Sequence, residues 1–254
     1  MAFRNWFWRE RSAFFVGDDC IFGSGISNGY EVLRWAVVFG TGLKVKVLLM
    51  GIVLLGLAVM FPQALADPVF PYSGKLLNAA GIRHGQAVKE RLYALKRLVM
   101  ENRSLPDREK LEVVNNFWNR VSGRDGGIRR SLLTPFETLL LNAVDCKDYA
   151  TGKYLTLVAM GVDIKKLRLA YVLHREGPHM VLKYQESPES VPLVLDNVAP
   201  GILPDDERPD IRMVFAFNDH GMWVFNRAGQ TLRHVSKSPH FWRKMRARIG
   251  RELD

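Results

Sequence analysis

The sequence LLLNAVDCKDYATGKYLTLVAMG (residues 139–161) places a cysteine, Cys146, between two aspartates at the start of a helical pattern. Asp145 is a favourable N-cap residue, Gly161 is a favourable stop, and apolar and aromatic residues recur between them at helical spacing. This pattern predicts an amphipathic helix with Cys146 in its first turn. Because a helix N-terminus favours the thiolate form, a cysteine in that position is a candidate nucleophile, whereas a free cysteine elsewhere is more often a buried packing residue.

The segments on either side of this helix differ in the spacing of their apolar residues. Helical spacing dominates residues 74–100, with interruptions at Gly81 and Gly85, and an amphipathic segment that starts at Pro106. After Gly161 the period changes to two, in short β-branched and aromatic runs separated by turn residues: KLRLAYVL, HMVLKY, VPLVLDN, IRMVFAFN and GMWVFN. Helices followed by strands predict an α+β domain with an antiparallel sheet.

The N-terminal quarter of the chain predicts export. Two lysines precede an uncharged apolar run at 47–61, and the sequence ALA at 64–66 matches a cleavage site, so we expect residues 44–66 to be a signal peptide. An uncleaved membrane anchor is the alternative, but the run is shorter than the roughly 20 apolar residues that span a bilayer. Residues 1–43 form an upstream extension, which a start codon assigned too far upstream would explain, and residues 67–254 form the expected domain.

The charge of the chain is moderately positive. The net charge is +10, and the basic residues are spread out apart from one cluster near the C-terminus, HFWRKMRARIGR. Nucleic-acid binding would require a basic stripe interleaved with exposed aromatic residues, and an exported protein rarely meets nucleic acid, so we expect no nucleic-acid partner. We expect the C-terminal cluster to be a solvated helix face or a surface that docks on anionic lipid.

Export makes the cysteine more informative. The chain has two cysteines, and removal of the signal peptide removes Cys20. Cysteines in an oxidising compartment usually pair, so an unpaired cysteine in an exported protein indicates a reactive thiol.

A cysteine nucleophile needs a base, and the base needs a group that orients it. His179 opens the run HMVLKY and Asp196 closes the run VPLVLDN, so antiparallel pairing of these strands would bring the two side chains together. The other histidines fit helical, strand-end, turn or polar-tail positions: His84, His174, His220, His234 and His240. Spacing alone leaves Cys146, His179 and Asp196 as one of several triples that a chain of this length offers.

The order of several sequence blocks is more specific than this spacing. The blocks REKLEVVNNFWN, TPFETL, DCKDYATGKYLTL, LRLAYV, HMVLKY, LVLDN and VFAFN resemble the bacterial transglutaminase-like cysteine proteinases, the LapG-type periplasmic adhesin proteases, over residues 106–225. The resemblance implies a papain-like or transglutaminase-like core in which N-terminal helices and a cysteine-bearing helix pack on an antiparallel sheet. By motif, it implies Cys146 as the nucleophile, His179 as the base and Asp196 as the orienting acid.

The resemblance also implies a cellular location and partners. It implies a periplasmic cysteine endopeptidase that cleaves a large surface adhesin near its N-terminus and so controls attachment or biofilm formation. The implied regulator is an inner-membrane receptor that sequesters the protease in response to a cyclic dinucleotide.

One position departs from the family pattern. The family usually reads D-C-E-D and uses the acids that flank its cysteine to help bind calcium, a hard cation that prefers oxygen ligands. Here Lys147 stands in place of the glutamate, which removes a ligand and repels the ion. We therefore expect that no cofactor is required, with Asp145 as the one candidate calcium ligand. The alternative is that Asp145 and Asp148 cap the helix or pair with Lys147.

Two other functions remain open at this point. A transglutaminase or deamidase uses the same acyl-enzyme, and the acceptor site that decides between water and an amine is not evident in the sequence. A catalytically idle periplasmic binding module would keep the fold without the chemistry. The intact triad argues against the idle module, whereas Lys147 leaves it open.

Overall fold

The computed structural model describes residues 72–122, 124–125, 131–141, 143–199 and 201–253. The upstream extension at 1–43 and the expected signal peptide at 44–66 lie outside these residues and stay predictions. Within the described ranges, no helix is both long enough and apolar enough to cross a membrane.

The order of the elements follows the change of period in the sequence. The helices and the first short strands are α1 (Gly74–His84), α2 (Gln86–Glu101), α3 (Asp107–Asn119), β1 (Arg124–Asp125), α4 (Pro135–Leu141), β2 (Ala143–Val144) and α5 (Cys146–Ala159). The later strands and the last helix are β3 (Leu167–His174), β4 (Gly177–Tyr184), β5 (Leu193–Leu195), β6 (Ile202–Pro204), β7 (Ile211–Phe217), β8 (Met222–Phe225), β9 (Thr231–Val235) and α6 (His240–Leu253).

The strands from β3 to β9 form one antiparallel sheet with the spatial order β6-β5-β4-β3-β7-β8-β9. The α+β class with an antiparallel sheet is therefore confirmed. The two edge strands are not among the runs that the sequence predicts, because β6 has three residues and β9 is exposed along most of its length. His234 is exposed as expected, but it lies on β9 rather than in a tail, with its ring stacked on Trp223 at a centroid distance of 4.9 Å.

Helix α5 lies at the centre of the domain. The sequence predicts an amphipathic helix, but every residue of α5 from position 150 to position 159 is buried. The expectation fails because α5 packs on β3 and β4 on one side and on α3 and α4 on others, which leaves no solvent face. Helix α5 approaches α3 closely at Gly152, where an added Cβ would lie 2.6 Å from the indole of Trp118. The Nε1–H of that indole donates to Oγ1 of Thr156 at 3.0 Å.

Both ends of α5 are fixed as the sequence predicts. At the start, the Asp145 carboxylate accepts from the N–H of Asp148 at 3.4 Å, and the Asp148 carboxylate accepts from the N–H of Asp145 at 3.2 Å. This reciprocal arrangement is a capping box. At the end, Gly161 has a φ of +87°, a conformation that favours glycine, and its N–H donates to the carbonyl of Val158 at 3.0 Å.

The first two helices correct one expectation. Gly85, with a φ of +97°, separates α1 from α2, but Gly81 lies inside α1 and does not interrupt it. A single glycine costs a helix only about 1 kcal/mol. An added Cβ at Gly81 would lie 2.8 Å from the side chain of Lys89, so the glycine leaves room for α2.

Helix α6 covers the core with its inner face. Three of its side chains are buried: Trp242, Met245 and Ile249. On the rest of the helix, Arg246 pairs with Asp219 at 3.2 Å and Arg248 pairs with Glu137 at 3.0 Å. The expectation that the basic cluster is a solvated face is therefore wrong for these two arginines, which attach the helix to the domain.

Candidate active site

Cys146 is the first residue of α5, and its side chain is half-buried. The chain that enters the helix is held by the parallel pairing of β2 with β1, in which Val144 lies opposite Asp125. Together with the capping box, this pairing fixes the start of the helix. The thiol therefore lies at a rigid helix N-terminus, where backbone N–H groups point outward.

His179 lies on β4 and Asp196 directly follows β5. His179 is the third residue of its strand rather than the first, because β4 begins at Gly177. Antiparallel pairing of Leu195 with Leu182 brings the carboxylate of Asp196 to the imidazole. The distance between Nε2 of His179 and Oδ1 of Asp196 is 2.7 Å, and both residues are buried.

The thiol of Cys146 lies near enough to the imidazole of His179 to raise the pKa of the ring. Because Nε2 of His179 faces Asp196, Nδ1 is the ring nitrogen that remains to exchange a proton with the thiol. Burial of the ring by itself lowers the pKa of His179, but its interactions with Asp196 and Cys146 outweigh burial and raise the pKa to about 9. At neutral pH the ring is an imidazolium held between a sulfur and a carboxylate. The structure thus brings together the three residues that the sequence singles out.

The carboxylate of Asp196 is held in its charged form. Burial by itself raises its pKa, but the hydrogen bonds from His179, Arg208 and the backbone outweigh burial and hold the pKa well below its usual range. The backbone N–H groups of Asn197 and Val198 donate to Oδ1 at 2.7 and 3.2 Å, and Nη2 of Arg208 donates to Oδ2 at 2.9 Å. Both carboxylate oxygens are therefore fixed, and Oδ1 is aimed at the histidine.

Arg208 extends this pair into a buried network that the sequence does not reveal. Its guanidinium donates to both oxygens of Asp210, at 2.8 and 2.7 Å, and thereby lowers the pKa of Asp210 to about 2. Asp210 in turn lies 3.2 Å from Nε2 of His174, whose ring centroid is 5.9 Å from that of His179. The sequence offers no signal for Arg208, because the acidic run DDERPD equally predicts a solvated turn.

Two further polar residues on the helices interact with Asp196, one through a hydrogen bond and the other through its charge. The Nδ2–H of Asn119, the last residue of α3, donates to the backbone carbonyl of Asp196 at 2.9 Å. Lys153 lies two turns after Cys146 on the same face of α5 and is fully buried, and its Nζ has no hydrogen-bond partner among the described residues. Burial lowers the pKa of Lys153 to about 7, although the charge of Asp196 opposes that shift.

The candidate calcium ligand has other partners. Oδ2 of Asp145 binds the ammonium of Lys147, and Oδ1 accepts from the N–H of Asp148. Lys147 is 2% exposed, so its charge is buried against Asp145. Among the residues that the structure describes, no group of three or more His, Cys, Asp or Glu side chains is placed to hold a metal ion. The residues at the start of α5 therefore do not fit calcium, and the alternative of a cap and a lysine pair is what the structure shows.

Solved structures of one protein share this fold. LapG from Legionella pneumophila is 30% identical to this chain, with a TM-score of 0.62, over 72% of this chain and 98% of LapG. Its calcium-bound structure gives 30% identity and a TM-score of 0.61 over 70% of this chain and 99% of that one. Its EGTA-treated structure gives 28% identity and a TM-score of 0.60 over 71% and 98%. No family model matches the chain, and no curated protein matches it.

The match covers nearly the whole length of LapG and 72% of this chain. The sequence blocks that resemble the same proteins cover that helix and four of the strands. This chain belongs to the bacterial transglutaminase-like cysteine proteases of the LapG family.

Proposed function

We propose that the protein is a cysteine endopeptidase in which Cys146, His179 and Asp196 act as the catalytic triad. The observation that carries the proposal is the 2.7 Å contact between Nε2 of His179 and the buried carboxylate of Asp196, with the thiol of Cys146 at the start of α5 near enough to the same imidazole to raise its pKa. A nucleophile, a base and an orienting acid in hydrogen-bond contact are the parts that acyl transfer requires.

In the proposed reaction, the thiol proton of Cys146 passes to Nδ1 of His179, Sγ attacks the carbonyl carbon of a peptide bond and the carbonyl electrons move onto its oxygen. His179 gives the proton on Nδ1 to the amide nitrogen, the C–N bond breaks and the amine leaves, which yields a thioester on Sγ. Water then loses a proton to Nδ1 as it attacks the thioester, and the C–S bond breaks to release the carboxylic acid. Asp196 stays ionised and stabilises the imidazolium.

The start of α5 supplies the complementary charge for the oxyanion. The first N–H groups of a helix have no intrahelical partner, and the capping box satisfies that of Asp148. The N–H of Cys146 is therefore a donor aimed at the oxygen of the tetrahedral intermediate. Loss of one such donor costs about 10²–10³ in kcat in enzymes of this kind.

Family membership and the expected signal peptide support a more specific role. We propose that the protein acts in the periplasm, that its substrate is a large surface adhesin cut near its N-terminus, and that cleavage controls attachment or biofilm formation. The proposed regulator is an inner-membrane receptor that binds a cyclic dinucleotide. Nothing in this role requires a nucleic-acid partner.

The test is incubation of the purified protein with a peptide library and a primary amine, with mass spectrometry of the products. Peptide cleavage supports an endopeptidase, amine incorporation or conversion of Gln to Glu supports a transglutaminase or deamidase, and neither product supports an idle binding module. We expect cleavage by the wild type and a loss of about 10⁶-fold for Cys146→Ala, the size seen when a triad nucleophile is removed.

Cysteine labelling provides a check that needs no substrate. Iodoacetamide should alkylate Cys146 faster than Cys20 in the full chain, because a protonated histidine and a helix N-terminus both favour the reactive thiolate of Cys146. His179→Ala should slow the labelling of Cys146 and leave Cys20 unchanged. Equal rates at the two cysteines in the wild type would contradict the assignment of Cys146 as the nucleophile.

A further inference from the structure

Lys147, the second residue of α5, buries its charge beside the proposed nucleophile. The residue is 2% exposed, and its ammonium lies against Oδ2 of Asp145. A buried ammonium is unfavourable by several kcal/mol unless a counter-charge compensates it. The partner supplied here is the N-cap carboxylate, so the lysine and the capping interaction form one unit.

The oxygen atoms around this unit are occupied by donors of the chain itself. Oδ1 of Asp145 accepts from the N–H of Asp148, Oδ2 of Asp148 accepts from the N–H of Asp145, and Oδ1 of Asp148 accepts from the N–H of Leu133 at 3.4 Å. Calcium requires six to eight oxygen ligands. Here one acid of the family motif is replaced by a cation, and the two acids that remain hold backbone N–H groups.

We propose that the ammonium of Lys147 replaces a bound calcium ion at the start of α5, so that this protein holds its cysteine helix with an internal cation. LapG from Legionella pneumophila was solved both calcium-bound and EGTA-treated, so a form of that relative contains the ion. An internal cation makes the helix start of this chain independent of calcium supply. The inference rests on the proposed function only where it concerns activity, because the binding claim stands on the geometry at Asp145.

The binding test is isothermal titration of calcium into the full-length wild type and two variants. The wild type should give no saturable heat up to about 1 mM calcium, the weak end of calcium sites in extracellular proteins. Lys147→Glu restores a ligand and removes the repelling charge, so it should bind calcium with a Kd below about 1 mM. The matched control, Lys165→Glu, makes the same charge change at an exposed lysine and should bind none.

Each outcome decides the proposal. Saturable calcium binding by the wild type would overturn it, and so would a folded Lys147→Glu that binds no calcium or a Lys165→Glu that binds as well as Lys147→Glu. If Lys147→Glu does not fold alone, its refolding is compared with and without calcium. Recovery only with calcium supports the exchange of one cation for the other, and failure in both conditions counts against it.

Activity is measured separately on the same proteins. Wild-type cleavage should be unchanged by EGTA, whereas cleavage by Lys147→Glu should fall in EGTA and recover with calcium. If no variant cleaves any peptide, the proposed function fails while the titrations still decide the cation exchange. If the wild type cleaves peptides but stops in EGTA, the proposed function stands and the cation exchange is overturned.

Discussion

The two carboxylate oxygens of Asp196 contact different residues, one a histidine and the other an arginine. Oδ1 faces His179 and Oδ2 faces Arg208, so one residue sets both the position and the protonation of the imidazole. The folded-state pKa of His179, about 9, lies above its ordinary value. The stability that this contact contributes is therefore fully present below about pH 6.5 and is lost as the pH rises through 9.

Asp196→Asn should lower the pKa of His179 from about 9 toward its ordinary value, because the amide keeps the shape of the side chain but not its charge. NMR titration of the labelled histidine measures this directly. The loss of stability between pH 6.5 and 9 should shrink in parallel, and kcat/KM should fall about 10⁴-fold, as when the orienting acid of a comparable triad is changed. Asp163→Asn, which removes an exposed carboxylate, is the control. A His179 pKa that stays near 9 in Asp196→Asn would contradict this account.

The residues of the proposed triad can be predicted from the sequence, whereas the residues that support them cannot. Cys146 is marked by its helix start, and His179 and Asp196 are marked by the ends of strand runs, so order along the chain is enough to select them. Arg208 reaches Asp196, and Asp210 reaches His174, because the turn before β7 lies beside the end of β5. Their contacts depend on that turn, whose sequence has no period that predicts its path.

At the scale of elements, the contact between α5 and α3 depends on one missing side chain. Gly152 lies against the indole of Trp118, which is fully buried. Gly152→Ala should lower the free energy of unfolding by about 1–3 kcal/mol, because the new methyl group overlaps the ring and forces the helices apart. Urea unfolding measures the change.

Gly250→Ala is the matched control for this substitution. Gly250 lies in α6, and no atom is within 4 Å of the position that a Cβ would take. That variant should be unchanged or stabilised by up to about 1 kcal/mol, since alanine is the better helix former. If both variants change the free energy of unfolding equally, the close approach of α5 to α3 does not contribute to stability.

The elements themselves were predictable where burial imposes a period. Strands β3 and β4 each contain a mostly apolar run that is buried, and α3 shows a clear apolar stripe. Helix α5 is the exception. Its polar residues Lys147, Asp148 and Lys153 give the sequence the pattern of an amphipathic helix, but all three are buried. Composition cannot distinguish a polar side chain that faces water from one that is buried against a partner.

At the scale of the whole molecule, Glu252 connects the two ends of the described chain. Its carboxylate accepts from Oγ1–H of Thr134 at 2.7 Å and from the hydroxyl of Tyr72 at 3.4 Å. Burial is the main cause that raises the pKa of Glu252 to about 7, although those two hydrogen bonds oppose it. The folded chain therefore keeps this proton up to about pH 7, whereas the unfolded chain releases it near pH 4.5.

Because the folded protein binds more protons between those two pH values, this group makes the free energy of unfolding fall as the pH rises from 4.5 to 7. Glu252→Gln should remove that contribution and flatten the decline. The measurement is the Tm of wild type and variant at pH 5 and pH 8. Glu186→Gln, at an exposed position, controls for the loss of a charge. A Tm difference between the two pH values that is the same in wild type and Glu252→Gln would refute the assignment.

The connection between β4 and β5 has a consequence for protein engineering. His179 lies near the start of β4 and Asp196 follows the end of β5, so the connection at 185–192 lies at the opposite end of this strand pair. It is closed by its own short-range bonds, such as the N–H of Ser190 to the carbonyl of Ser187 at 3.1 Å. The imidazole and the carboxylate are aligned by the strand ladder rather than by the chain that joins them. A reporter domain, or the new termini of a circularly permuted chain, can therefore be placed in this exposed turn without moving the pair.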